Sequence, residues 1–237
     1  MVREAPKPLE VVVVIPARNE EANIAGVIAA IPPRVARAVV VVDNGSSDRT
    51  AQRAEDAGAI VVREAHEGYG AACLRGVAQL STLPRPPDAV VFLPADGSAD
   101  PAQIPALLAP LRENLFDLVI GSRVLGDGRG ATRIRARYFV ATHLIRAIYG
   151  HRYTDLGPFR AVRYPALIAL GMRDAGHGWL VEMQVKALKV GLRIAEVPVT
   201  IRPPADGRRQ SLAQQVKGTV GTSTKAIFQI FRHATAR

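Results

Sequence analysis

Two apolar runs rich in β-branched residues, Val11 to Ile15 and Ala38 to Val42, each stop at a polar loop that opens a helix. The loops read Pro-Ala-Arg-Asn-Glu-Glu over residues 16–21 and Asp-Asn-Gly-Ser-Ser-Asp over residues 43–48. A strand that is apolar at every position has to be covered on both faces, which is the situation in a parallel sheet flanked by helices. In such a sheet the ligand site lies beyond the carboxyl ends of the strands. Pro16 cannot donate to a sheet ladder and Asn44-Gly45 sits easily in a turn, so the two loops act as stops placed side by side. A plain βα repeat would give the same hydrophobic pattern, but not the carboxylates repeated at the strand ends.

The alternation continues along the chain. An amphipathic run from Asp48 to Ala57 leads to a strand at Ala59 to Val62, and Gly68-Tyr69-Gly70 introduces a helix from Ala71 to Leu80. Arg75 in that helix can point back over the site. Strands follow at Ala89 to Leu93 and Asp117 to Ile120, helices at Tyr138 to Tyr149 and Trp179 to Val190, and a strand at Arg193 to Val197. The order predicts an α/β fold with a mostly parallel sheet. A length of 237 residues suits a single domain spanning 1–237, with a loose tail at 1–10 and an amphipathic helix at 212–234. That helix packs on the core, lies on a membrane surface or forms a homodimer seam.

Charge and cysteine content narrow the setting. A formal charge of +10 favours polyanionic partners such as nucleotides, phospholipids or nucleic acid. Aromatic residues make up only 5% of the chain, which supplies no stacking platform for single strands and argues against specific nucleic-acid recognition. No apolar stretch has the length of a transmembrane helix, and the first ten residues lack a signal-peptide core. The lone Cys73, inside an apolar series, reads as a small buried hydrophobe, and the absence of a possible internal disulfide fits a cytoplasmic setting.

The strand at Ala89 to Leu93 runs into Pro94-Ala95-Asp96-Gly97-Ser98-Ala99-Asp100-Pro101. A carboxylate at the end of a central strand can hold a divalent cation against a diphosphate, because hard metals take oxygen ligands and neutralise leaving-group charge. Asp96 is the candidate metal ligand, and Asp100 reads as the cap of the helix that follows. Further on, residues 126–130 form a glycine-rich loop before Arg133, Arg135 and Arg137. The apolar helix after them is either core with solvated arginines or a seat for an anionic headgroup above a lipid tail.

Taken together, IPARNEE, VVVDNGSSDRT, GYGAACLRG, LPADGSADP, IGSR, YTDLGPFRAV and GHGWLVEMQVKALKVGLRIAEVPV resemble, in order and almost end to end, the family 2 glycosyltransferases of the GT-A fold. The likeness is strongest to the polyprenyl-phosphate (dolichyl-phosphate) sugar synthases. It implies a GT-A nucleotide-diphospho-sugar transferase fold and inverting transfer of a hexose from a nucleotide sugar, a uridine diphosphate sugar before guanosine diphosphate mannose, to polyprenyl phosphate. On this resemblance Asp43 recognises the base, with Pro16, Ala17, Asn19, Glu20, Asn44, Gly70 and Arg75 on the nucleotide side. Ala95, Asp96, Gly97 and Arg123 attend the diphosphate, and Mg2+ or Mn2+ is the implied cofactor. One departure stands out: the family's Asp-X-Asp is here Pro94-Ala95-Asp96, so the first acid is missing and Asp96 must act with phosphate oxygens and water.

Asp155 belongs to the transfer site on the same grounds. A hydroxyl acceptor needs a carboxylate base, whereas a phosphate acceptor is already an anion and needs positioning. Asp155 is therefore first an orienting residue, and a base only if the acceptor is a soluble hydroxyl compound. Arg160 either clamps phosphate or pairs with Asp155. Beyond the last strand Arg202, Arg208 and Arg209 surround residues 203–207, an arm that can fold over a diphosphate and stabilise the departing nucleotide. A non-catalytic nucleotide- or nucleic-acid-binding protein is the remaining alternative.

Overall fold

The computed structural model describes residues 9–126, 131–200 and 202. The tail before Leu9, the loop residues 127–130, Arg208, Arg209 and the expected helix at 212–234 lie outside the described residues.

Seven strands form one sheet: β1 (Val11–Ala17), β2 (Ala38–Asp43), β3 (Ile60–Arg63), β4 (Ala89–Phe92), β5 (Leu118–Ser122), β6 (Arg160–Arg163) and β7 (Ile194–Pro198). Their spatial order is β3-β2-β1-β4-β6-β5-β7. All pairs are parallel except those made by β6, which runs against both β4 and β5. The predicted α/β class and mostly parallel sheet are thus observed. β1 is flanked by β2 on one side and β4 on the other, so the strand order reverses there and a crevice opens beyond the ends of β1, β2 and β4.

Alternate side chains of the central strands feed two separate cores. Val12 and Val14 of β1, Val40 and Val42 of β2 and Phe92 of β4 point to the face covered by α3 (Tyr69–Leu80), α5 (Ala131–Tyr149), α6 (Tyr164–Ala169) and α7 (Trp179–Lys189). Val11, Val13 and Ile15 point the other way, to α1 (Ile24–Ala29), α2 (Thr50–Asp56) and α4 (Ile104–Arg112). Double coverage is what the unbroken valine runs required. Gly76 lets α3 press directly on the sheet, since a Cβ there would lie 2.5 Å from Val14 Cγ1. Cys73 is fully buried in the same layer, as expected, and burial pushes its thiol well above its ordinary range.

Three details correct the sequence reading. β1 does not stop before Pro16 but continues through it to Ala17. The Val14 carbonyl accepts from Leu93 and the Ala17 carbonyl from Asn44, so even-numbered residues face β4 and odd ones face β2. The amide that Pro16 lacks therefore falls on the β4 side, past Phe92, the last residue that β4 pairs with β1. Second, α5 begins at Ala131, so Arg133, Arg135 and Arg137 belong to the helix and not to the loop before it. Third, β6 lies outside the expected strands: Arg-Ala-Val-Arg has no apolar run, yet it sits in mid-sheet. Among the described residues no helix is long and apolar enough to cross a membrane.

Candidate active site

The crevice is built by loops at the strand ends. After β1, Asn19 adopts a left-handed conformation (φ 55°) that turns its amide onto the β2 loop. Its side-chain oxygen accepts from Ser47 N at 2.8 Å and its backbone amide donates to Ser46 Oγ at 3.0 Å. The Glu20 amide donates to Thr50 Oγ1, and the Glu20 carboxylate accepts from Asn23. Asp43 ends β2, is nearly buried, and accepts from Ser46 N at 3.1 Å. Asn44 is buried as a tie between loops, donating to the carbonyls of Glu64 and His66 and accepting from Gly68 N. At the rim, Arg18 and Glu67 pair at 2.5 Å, and each holds the other in its charged form.

Arg75 leans toward the end of β3, where its Nε donates to the Arg63 carbonyl. Gly70 is buried, and its amide is spent on the Gly176 carbonyl at 3.1 Å, so it positions the loop over residues 174–178. Trp179 at the start of α7 packs edge-on against Phe92, 4.8 Å between ring centres.

The Asp96 loop follows β4. Ala95 is buried, Gly97 takes φ +71°, and Asp96 Oδ1 accepts from both Ser98 N (3.0 Å) and Ser98 Oγ (2.6 Å). Its other carboxylate oxygen has no partner among the described residues. Asp100 caps the next turn by accepting from Ala102 N and also pairs with Arg202 at 2.6 Å. Arg202 donates its amide to the Ser98 carbonyl, which lays it along this loop. Among the described residues no three His, Cys, Asp or Glu side chains converge as a complete metal cage. The donor set is one carboxylate oxygen, which fits a hard divalent ion only when phosphate oxygens complete the shell.

Opposite this loop, Arg123 at the end of β5 forks onto Asp155, with Nε to Oδ2 at 2.7 Å and Nη2 to Oδ1 at 2.8 Å. Asp155 is wholly buried and also accepts the Arg123 amide. Burial works against the Arg123 charge, but the bidentate hydrogen bonds and the carboxylate outweigh it and keep the guanidinium firmly protonated. Glu196 on β7 supports the pair from behind by accepting from Thr154 N, Thr154 Oγ1 and Asp155 N. Burial raises the Glu196 pKa despite those donors. Ser98 of one loop and Arg123 of the other line the same narrow cleft, with Pro94, Gly121 and Phe159.

Arg160 departs from both expectations. It is fully buried, and its guanidinium donates to the carbonyls of Gly157 and Leu180. As the register partner of Phe92 it points into the α3/α7 core, away from the crevice, and Asp155 takes Arg123 as its partner instead. Sequence reading missed Glu196; its only signal is an acid set among apolar residues in the Ile-Ala-Glu-Val-Pro strand.

Residues 12–171 match the model of the family described as Glycosyl transferase family 2. The chain belongs to that family and is a family 2 glycosyltransferase with the GT-A fold. It is 33% identical over 234 residues, 94% of this chain and 96% of the other, to the uncharacterized glycosyltransferase Rv0539 of Mycobacterium tuberculosis. It is 31% identical to the undecaprenyl-phosphate mannosyltransferase of Micrococcus luteus, covering 81% of this chain and 83% of that one. Among solved structures it is similar to glucosyl-3-phosphoglycerate synthase of M. tuberculosis in complex with Mn2+, uridine diphosphate and phosphoglyceric acid. That likeness has a TM-score of 0.75 at 25% identity and covers 94% of this chain and 78% of the other.

Proposed function

We propose that this glycosyltransferase moves a hexose from a nucleoside diphosphate sugar, a uridine diphosphate sugar in preference, to polyprenyl phosphate with inversion at the anomeric carbon. The observation that carries the reading is the facing of two groups across one cleft, the Asp96 loop and the Arg123–Asp155 fork. In the reaction an acceptor oxygen forms the new bond to the anomeric carbon as the bond to the β-phosphate oxygen breaks. Such a transfer needs the leaving diphosphate neutralised and the acceptor aligned.

Asp96, through its unpartnered oxygen, would hold Mg2+ or Mn2+ jointly with the donor phosphates; when bound, the ion supplies charge to the leaving group. The solved neighbour carries Mn2+ or Mg2+ with uridine diphosphate, which supports this assignment. Asp43 reads the nucleobase, with Ala17, Asn19 and Glu20 along the nucleotide. Arg202 lies along the Asp96 loop, and Arg208 and Arg209, which follow it in sequence, would add charge to stabilise the departing diphosphate. Asp155, already engaged by Arg123, keeps that guanidinium oriented toward an anionic acceptor, so no base is required for a phosphate nucleophile.

The acceptor is supported by the name of the M. luteus relative. A soluble phosphorylated acid is the second reading, favoured by the phosphoglyceric acid in the solved neighbour. Purified protein is to be given a panel of nucleotide sugars with either short-chain polyprenyl phosphate or phosphoglyceric acid. Sugar transfer to the lipid alone supports the first reading, and transfer to the acid alone supports the second. No transferred sugar from any donor removes both.

A further inference from the structure

Behind the Arg123–Asp155 fork a pocket of about 370 Å³ runs along one face of α5. Its helix wall is Arg135, Tyr138, Phe139, Thr142, His143 and Arg146, at spacings that share one face. Its other wall comes from Val124, Leu125 and the segment 152–154. Gly150 makes that second wall possible: at φ +72° it ends α5 and turns the chain back, so Arg152 lies across from the helix that carries Arg146. The inner end touches the transfer site, since Thr154 and Val124 adjoin the fork and Tyr138 lies 6.0 Å from the Arg123 guanidinium. From Tyr138 to Arg146 is eight residues, about 12 Å along a helix at its standard rise.

The character of the groove changes along its length. The middle is apolar and open, with Phe139 56% and Leu125 46% exposed, and the His143 ring packs against Phe139 at a tilt of 36° with its Nδ1 tied to the Phe139 carbonyl at 2.8 Å. The outer end carries Arg146 and Arg152, neither of which has an ion-pair partner among the described residues. Several arginines elsewhere are matched by acids, as in Arg18–Glu67, Arg193–Asp117 and Arg202–Asp100. Two unmatched guanidiniums on facing walls of one pocket repel each other unless an anion lies between them, and phosphate is the anion whose oxygens suit their donors.

We propose that Arg146 and Arg152 form a second anion site, about 12 Å from the transfer site by the helix rise, which takes a phosphate group remote from the atom that receives the sugar. Its chemistry is the same whether the phosphate belongs to a soluble ligand or to a phospholipid headgroup beside the acceptor. The role as an outer acceptor anchor rests on the glycosyl-transfer reading; the site itself does not.

The test measures binding without turnover. Calorimetry with inorganic phosphate, run with the nucleotide site saturated by uridine diphosphate, is compared between wild type and the Arg146→Gln/Arg152→Gln variant. Flotation with phosphatidylglycerol vesicles, against neutral phosphatidylcholine vesicles, forms the second arm. Loss of phosphate affinity by tenfold or more in the variant supports the site with a soluble source. Loss of binding to the anionic vesicles alone supports it with a headgroup source. Unchanged or undetectable binding in both arms, with uridine diphosphate affinity and unfolding midpoint retained, overturns it. A protein that binds phosphate here yet transfers no sugar from any donor would keep the site and lose the glycosyl-transfer reading.

Discussion

The Gly70 amide donates to the Gly176 carbonyl at 3.1 Å, and Ala71 donates to the Ala175 carbonyl at 2.8 Å, so backbone caps the first turn of α3. A free helix start attracts phosphate, but here those donors are spent on a loop. The contact has no room to spare, because a Cβ on Gly70 would stand 2.0 Å from the Asp174 carbonyl oxygen. Gly70→Ala should lose stability by about 1–3 kcal/mol, the usual range for overpacking. Urea unfolding at neutral pH measures this, and an unchanged midpoint would show that the loop yields freely.

The same loop is anchored from α7 by Glu182. Its buried carboxylate pairs with Lys186 at 2.8 Å and accepts from the amides of Arg173 and Asp174. Burial opposes the charge, but Lys186 and the two amides win and hold the group below its usual range. Glu182→Gln should cost about 3–5 kcal/mol, the range for breaking a buried ion pair from one side. Proteolysis within residues 173–178 should accelerate in parallel; a stable variant with an uncut loop would contradict the anchor.

Asp117 gives a pH signature. Arg193 forks onto it at 2.8 and 3.0 Å and lowers its pKa below the ordinary carboxylate value. A depressed acid stabilises the fold above its unfolded pKa of about 3.9 and loses that contribution as pH falls through the folded value. Unfolding free energy should therefore decline as pH is lowered from about 4, and Asp117→Asn should flatten that decline. Denaturant titrations between pH 5 and the acid limit of solubility decide between a shared and a differing slope.

For Arg123 and Asp155 the informative measurement is a double-mutant cycle. Asp155→Asn strands a largely buried guanidinium and Arg123→Gln strands a buried carboxylate, so each single change should cost about 3–5 kcal/mol. The double variant should cost less than the sum by at least about 1 kcal/mol if the pair acts as a unit. Additive costs would separate the two residues.

Asp96→Asn isolates charge from shape. The side-chain amide oxygen of that variant can still accept from Ser98 N and Ser98 Oγ, so the turn survives while the carboxylate charge is lost. Sugar transfer in saturating Mn2+ should fall by about a hundredfold or more, the scale on which single electrostatic groups act in transition states. The unfolding midpoint should hardly move. Retained activity would instead place the electrostatic task on arginines.

What was legible in the sequence was whatever local chemistry dictates. Unbroken valine runs gave β1, β2 and β4, and Asp100 declared itself as a cap through the proline after it. β6 escaped because its membership depends on partners: Arg160 is tolerated in mid-sheet only because the carbonyls of Gly157 and Leu180 receive it. Asp155 was visible as an acid in a motif, but its partner lies 32 residues earlier, and no local pattern selects Arg123 over Arg160. Glu196 was hidden for the same reason, since its task is set by Thr154, 42 residues away.

The insertion of β6 between β4 and β5 also orders events in time. β1 can pair with β2 and β4 once residue 92 has been made, but β5, complete at Ser122, has no neighbour until residues 160–163 arrive. Closing so distant a pair carries a large loop entropy, and nonlocal pairing of this kind is slow. On the ribosome the first four strands can therefore assemble as a unit while β5 waits as an unpaired edge, so a pause in synthesis before β6 would leave the chain most exposed to aggregation.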